Sequence, residues 1–103
     1  MILEIADIRI RPGEEAAFEE ALGRALRTIT AKAKGMKSYR LSKCVESPQR
    51  YILQVSWEKL EDHMVTYAQS PEREEWRAIV RPFYAQTPVM EHFTLVTSSS
   101  PTY

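Results

Sequence analysis

KSYRLSKCV-ESPQ-RYILQVSW, residues 37–57, is the stretch that decides the fold. Two runs rich in aromatic and β-branched residues flank Glu46-Ser47-Pro48-Gln49, whose proline and serine suit a short reversing loop. The spacing therefore predicts a hairpin with strands over residues 37–45 and 50–57. Tyr39, Leu41 and Val45 fall on one face, with Tyr51, Leu53, Val55 and Trp57, and that face is expected to meet helices. The other face carries Ser38, Arg40, Ser42, Cys44, Ile52, Gln54 and Ser56. It is too poor in charge for a sheet surface left to water, so something should cover it.

Upstream of the hairpin, Phe18, Leu22, Ala25 and Ile29 form a 3.6-period stripe, with Lys32 and Lys34 ahead of Gly35. A long amphipathic helix is expected over about residues 14–34. Pro12 and Gly13 separate it from a strand at residues 2–10, whose apolar phase slips: Leu3 and Ile5 are odd, Ile8 and Ile10 even. That slip implies a bulge or a strand covered on both faces. Downstream, residues 59–69 read as a second helix, with Leu60, His63, Met64 and Tyr67 on the face to be buried. Ser70 is a good N-cap and Pro71 a good first residue for a third helix, whose stripe is Trp76, Ile79, Val80 and Phe83 and which Pro82 should end. Residues 89–96 read as the last strand.

The order is β-α-β-β-α-(α)-β, the split pattern of an α+β, ferredoxin-like antiparallel sheet with helices on one face. Residues 1–96 form the domain and 97–103 a flexible tail. One helical layer leaves the uncharged sheet face bare, and pairing with a second copy is the simplest cover.

At 103 residues with 44% hydrophobic content, the chain has room for one core. Lys plus Arg equals Asp plus Glu at 14 each, so no net field favours nucleic acid or an anionic membrane. A single cysteine, no basic leader and no apolar run near ~20 residues point to a cytoplasmic protein that spans no membrane. Glycine-rich phosphate loops, Gly-x-Ser-x-Gly elbows and Cys-x-x-Cys pairs are all missing, which argues against bound nucleotide, serine hydrolysis and thiol redox chemistry.

His63 admits three placements: exposed on a polar helix, buried and structurally bonded, or functional. Only the last uses an imidazole that can accept a proton from a phenol or enol near neutral pH. Tyr67, Trp57, Trp76, Tyr39, Phe83 and Tyr84 supply either core or the wall of a pocket for a flat ring. Arg73, Arg77 and Arg81 step along helix three at i, i+4 and i+8. They read as a solvated, ion-paired face, with Arg77, beside Trp76, best placed to reach an anion. His92 and Glu91 lack the spacing of a metal site, so no metal is expected. Asp7, unusual inside a strand, either pairs at a bulge or hydrogen-bonds a ligand at a pocket mouth.

Arg11-Pro12-Gly13, the run from Tyr51 through Glu58, Leu60-Glu61-Asp62-His63, Ser70-Pro71, Trp76-Arg77 and the run from Pro88 through Phe93 together resemble the antibiotic biosynthesis monooxygenase family of the dimeric α+β barrel superfamily. The resemblance covers about residues 2–96. It implies a homodimer joined through its sheets, with a ligand cavity between sheet and helices in each subunit. It further implies an oxidoreductase, a cofactor-independent monooxygenase acting on a small aromatic phenol or quinol with O2. In that reading His63, Tyr67 and Trp57 are the catalytic candidates, and Trp76, Arg77, Phe83, Tyr39 and Asp7 bind substrate. The alternatives are a non-catalytic small-molecule-binding barrel, a cofactor-free isomerase using His63 as proton shuttle, and a haem-degrading relative. The last fits least. Arg77 stands about where those enzymes carry their iron-ligating histidine, Tyr67 replaces their tryptophan and Asp7 their asparagine.

Overall fold

Strict alternation along β3 (Arg50–Trp57) turns Tyr51, Leu53, Val55 and Trp57 to one side, all at most 3% exposed. The computed structural model describes residues 1–100, and in it β3 pairs antiparallel with β2 (Met36–Lys43) and with β1 (Ile2–Arg9). The reversing loop closes through Cys44 N–H to the Arg50 carbonyl (2.8 Å) and Arg50 N–H to the Ser47 carbonyl (2.9 Å). β4 (Val89–Phe93) pairs with the other edge of β1, giving the order β2-β3-β1-β4. This is the expected α+β ferredoxin-like sheet. α1 (Glu15–Thr28) and α2 (Pro71–Val80) lie side by side on its inner face.

α1 buries Phe18, Ala21, Leu22, Ala25 and Leu26, the predicted stripe. The helix is shorter than expected, because the chain tightens after Thr28 into a 3-10 turn at Thr30–Lys32 before Gly35 reverses it. In β1 the even residues Glu4, Ala6 and Ile8 face the helices, and Leu3, Ile5 and Asp7 face outward. The register with β3 runs unbroken from Ile2 to Arg9. The apolar slip thus marks no bulge in β1 but a central strand whose outward Leu3 and Ile5 are half-buried. The sheet's irregularity lies instead in β2, between Met36 and Ser38.

Three local expectations are corrected. β2 ends at Lys43, so Val45 leaves the sheet and is 88% exposed. β4 ends at Phe93, leaving Leu95 and Val96 exposed beyond it. The proposed tail of residues 97–103 lies partly outside the described residues; Ser98 stands over the outer sheet face near Leu3, Ser38 and Gln54.

The third correction bears on function. Residues Asp62–Tyr67 wind as a π-helix, in which N–H groups reach back five residues, as from Ala68 to the His63 carbonyl (3.1 Å). The wider turn swings Leu60 and Met64 outward, 41% and 50% exposed, while Asp62 and His63 go in. Ser70 sits at the N-cap position with Pro71 first in α2. Its hydroxyl, however, donates backward to the Tyr67 carbonyl (2.6 Å), tying off the π turn rather than capping α2.

Candidate active site

Between the inner sheet face, the π turn and α2 lies a cavity of about 510 Å³, in the range of small-molecule sites. Trp57 from β3, His63 and Tyr67 from the π turn, and Trp76 and Arg77 from α2 all line it. The π winding brings His63 over Trp57, rings stacked at 5.1 Å with planes 16° apart. Tyr67 tilts against both rings, at 5.7 Å from Trp57 and 6.1 Å from His63. The aromatic wall therefore also fixes the plane of the imidazole.

At this wall stands a carboxylate, Glu4, only 7% exposed. Trp57 Nε1–H donates to its Oε1 (2.9 Å), and His63 Nε2 lies 3.4 Å from the same oxygen. His63 Nδ1 is in turn 2.8 Å from His92 Nε2. Glu4 and His92 are register partners on β1 and β4, so sheet pairing itself puts both on the inner face. Burial raises the Glu4 carboxyl to about 7 against the opposing Trp57 hydrogen bond. Burial, then the neighbouring His92 and Arg73, lowers His63 to about 4. Near neutral pH the imidazole is therefore uncharged, and Glu4 is the group poised to exchange a proton. A neutral His63 donating Nε2–H to ionised Glu4 and accepting from His92 satisfies all three contacts.

Tyr67 completes the aromatic wall. Its hydroxyl is sealed from solvent near Thr30 without closing a hydrogen bond of ordinary geometry, and burial pushes its pKa up to about 12. It stays protonated. An unsatisfied buried hydroxyl costs roughly 1–3 kcal/mol, so the ring it belongs to is held in the wall at the expense of stability.

Residues 1–79 match the antibiotic biosynthesis monooxygenase family. The chain belongs to that family. It is 41% identical over 93 residues to the uncharacterised protein YczJ of Bacillus subtilis (strain 168), covering 90% of this chain and 97% of YczJ. The crystal structure of a Bordetella bronchiseptica antibiotic biosynthesis monooxygenase family protein superposes with a TM-score of 0.87 at 38% identity, over 93% of this chain and 97% of that one. SnoaB of Streptomyces nogalater, a cofactor-independent oxygenase, shares the fold with a TM-score of 0.81 at 18% identity, over 98% and 97% of the two chains.

In this family member the sequence-derived candidates divide. His63, Tyr67, Trp57, Trp76 and Arg77 come together on the cavity wall. Phe83, Tyr39 and Asp7 do not. The 3-10 turn at Arg81–Phe83 sends Phe83 against Phe18, ring centroids 5.8 Å apart, and Tyr39 packs against the core from β2. Asp7 is an odd residue of β1 and so faces the outer side, where Arg50 grips it through Nε (3.1 Å) and Nη2 (2.9 Å). Those hydrogen bonds hold its carboxyl below the usual range. Glu4 lies outside the sequence-derived candidates, and His92 enters them only as a possible metal ligand. Among the described residues no three His, Cys, Asp or Glu side chains gather as for a metal ion, and no helix is long and apolar enough to cross a membrane.

Proposed function

We propose that this chain is a homodimeric oxygenase that oxidises a flat phenol, quinol or anthrone-like ring with O2, using no organic cofactor. The observation that carries this reading is the buried Glu4–His63–His92 chain set into the aromatic wall of a ring-sized cavity. Triplet oxygen reacts slowly with closed-shell organics, but an electron-rich carbanion or phenolate can pass it one electron. The substrate is then its own reductant. For an anthrone, the ring CH2 becomes C=O: one oxygen atom stays on carbon, the other leaves as water with the two hydrogens, and the four electrons come from that carbon. Ionised Glu4 takes the first proton, and the rings of the wall, Tyr67 among them, exclude water. Once Glu4 is protonated the opposite tautomers are required, with His63 accepting at Nε2 from Glu4 and donating Nδ1–H to His92 Nε2, and in that arrangement the proton can leave along the chain.

SnoaB supports the reading by its fold, since a cofactor-independent oxygenase is built on this same frame. The test is an oxygen electrode with anthrones, hydroquinones and flavonoids. Dialysed, chelator-treated protein should consume one O2 per anthrone and give the quinone. If no substrate in the panel raises uptake above the buffer rate, the oxygenase reading falls. Proton exchange into a bound ketone without oxygen uptake would then favour an isomerase, which the same proton chain also suits.

Dimerisation is expected through the outer sheet face. Leu3, Ile5 and Ile52 stand there beside Val89 and Phe93, which are 57% and 44% exposed. Light scattering should give a dimer at micromolar concentration, and Ile5→Glu on the central strand should shift it to monomer. A monomeric wild type would remove the barrel from the proposal.

A further inference from the structure

α2 lays a row of cations along the cavity. Arg73 and Arg77 on α2 and Arg81 in the 3-10 turn after it recur every fourth residue, and all three line the rim of the same 510 Å³ space, Arg73 half-buried and the other two open to solvent. Three glutamates share the helix, yet only Glu74 reaches one of them, at 3.4 Å from Arg77 Nη1 in an exposed contact. Among the described residues, the guanidinium groups of Arg73 and Arg81 close no hydrogen bond or ion pair. The one carboxylate on the cavity wall is Glu4, which Trp57 and His63 already engage. The arginines' charge is felt across the space: Arg73 opposes protonation of His63 and favours ionisation of Tyr67, and Arg77 does the latter to Tyr84. Three guanidinium groups on a half-enclosed wall, with one weak partner among them, form an incomplete electrostatic arrangement that an anion would complete.

We infer that the substrate ring carries an anionic substituent, a carboxylate, held by Arg73, Arg77 and Arg81 while the ring's ionising position faces Glu4. This rests on the aromatic-oxidation reading and narrows it to hydroxylated or keto aromatic acids. The planar guanidinium fork matches the two oxygens of a carboxylate, and anchoring one end of a flat ring sets which of its carbons meets the base.

Binding tests the inference without turnover. Anthraquinone-2-carboxylate and its uncharged counterpart 2-(hydroxymethyl)anthraquinone are titrated into the full chain, with quenching of Trp57 and Trp76 fluorescence as the readout. The carboxylate is expected to bind about tenfold more tightly at low salt, and that preference should shrink in about 1 M salt, where exposed charges are screened within roughly 3 Å. Arg73→Gln with Arg81→Gln should bring the ratio of the two affinities close to one, whereas Arg73→Lys with Arg81→Lys should keep most of it. Melting curves establish that each variant is folded. Equal binding of the two ligands by wild type, or a preference that survives the glutamine pair, overturns the anion site and leaves the aromatic cavity standing. If neither ligand binds, the aromatic reading itself fails and the inference with it.

Discussion

Glu4→Gln should lower kcat/KM for oxygen uptake by about 10²–10⁴-fold, the usual contribution of a positioned general base. Glutamine keeps a carbonyl oxygen for the Trp57 Nε1–H and nearly the same volume, so the wall should stand while the proton acceptor is lost. The wild-type rate should rise with pH and level off with a midpoint near 7, the value to which burial raises Glu4. His63→Ala should cost less, because the lowered imidazole acts as a conduit to His92 rather than as the first acceptor. A Glu4→Gln enzyme within threefold of wild type would strip Glu4 of the role. Uptake unchanged by His63→Ala across pH 6–8 would do the same for the relay.

Stability gives a second readout of the same substitution, independent of any substrate. Glu4 is raised from 4.5 to about 7 on folding, so between those values the folded chain holds a proton that the unfolded chain has released. Its contribution is present below pH 4.5 and is lost as pH climbs through 7. His63 has the opposite sign. Lowered from 6.5 to about 4, it contributes above pH 6.5 and loses that contribution as pH falls through 4. In wild type the two slopes oppose each other from about pH 4.5 to 6.5 and partly cancel. Removing Glu4's carboxyl exposes the histidine slope alone, so Glu4→Gln should gain Tm relative to wild type as pH rises from 4.5 to 7. A pH-independent Tm difference would mean that Glu4 is ionised in the fold at all these values.

The residues that define the sheet were easy to read because the strand period is two and the hairpin loop is short. The same rule contained Glu4, had the face of β1 been assigned. Ile8 and Ile10 point to the core, and counting back by twos puts Ala6 and Glu4 beside them. The apolar Leu3 and Ile5 hid this by suggesting the other phase, and they are apolar because the strand is central and its outer face is also partly covered. The same count turns Asp7 away from the cavity, where its charge is met by Arg50. His63 stands out by its chemistry, but a 3.6-residue period does not give its orientation, since the helix widens to a π turn in which Leu60 and Met64 face outward. Asp62, the first residue of the π turn, lies against Gly35, a contact distant in sequence.

Gly35→Ala should therefore be the most destabilising single-methyl change in the chain, by about 3–5 kcal/mol. Gly35 has φ of +81°, in the left-handed region, where a Cβ costs about 1–2 kcal/mol. A Cβ there would also fall inside the carboxyl group of Asp62, which is 6% exposed and accepts the Lys59 N–H at 3.2 Å. Either the carboxylate gives up that bond or the backbone moves, and the Gly35 carbonyl is itself fixed by the Glu58 N–H at 2.7 Å. Gly13 supplies the internal control: its φ is +86°, but nothing lies within 4 Å of the Cβ position, so Gly13→Ala meets the backbone cost alone. At about 4–8 °C per kcal/mol for a domain of this size, the two variants should melt more than about 8 °C apart. Asp62→Ala in the Gly35→Ala background should recover part of the loss, a coupling absent if strain at φ were the whole cost. Because His63 is the next residue after Asp62, the surviving folded fraction of Gly35→Ala should also turn over more slowly per molecule. Equal melting of the two glycine variants would show that the Gly35–Asp62 contact does not hold the π turn in place.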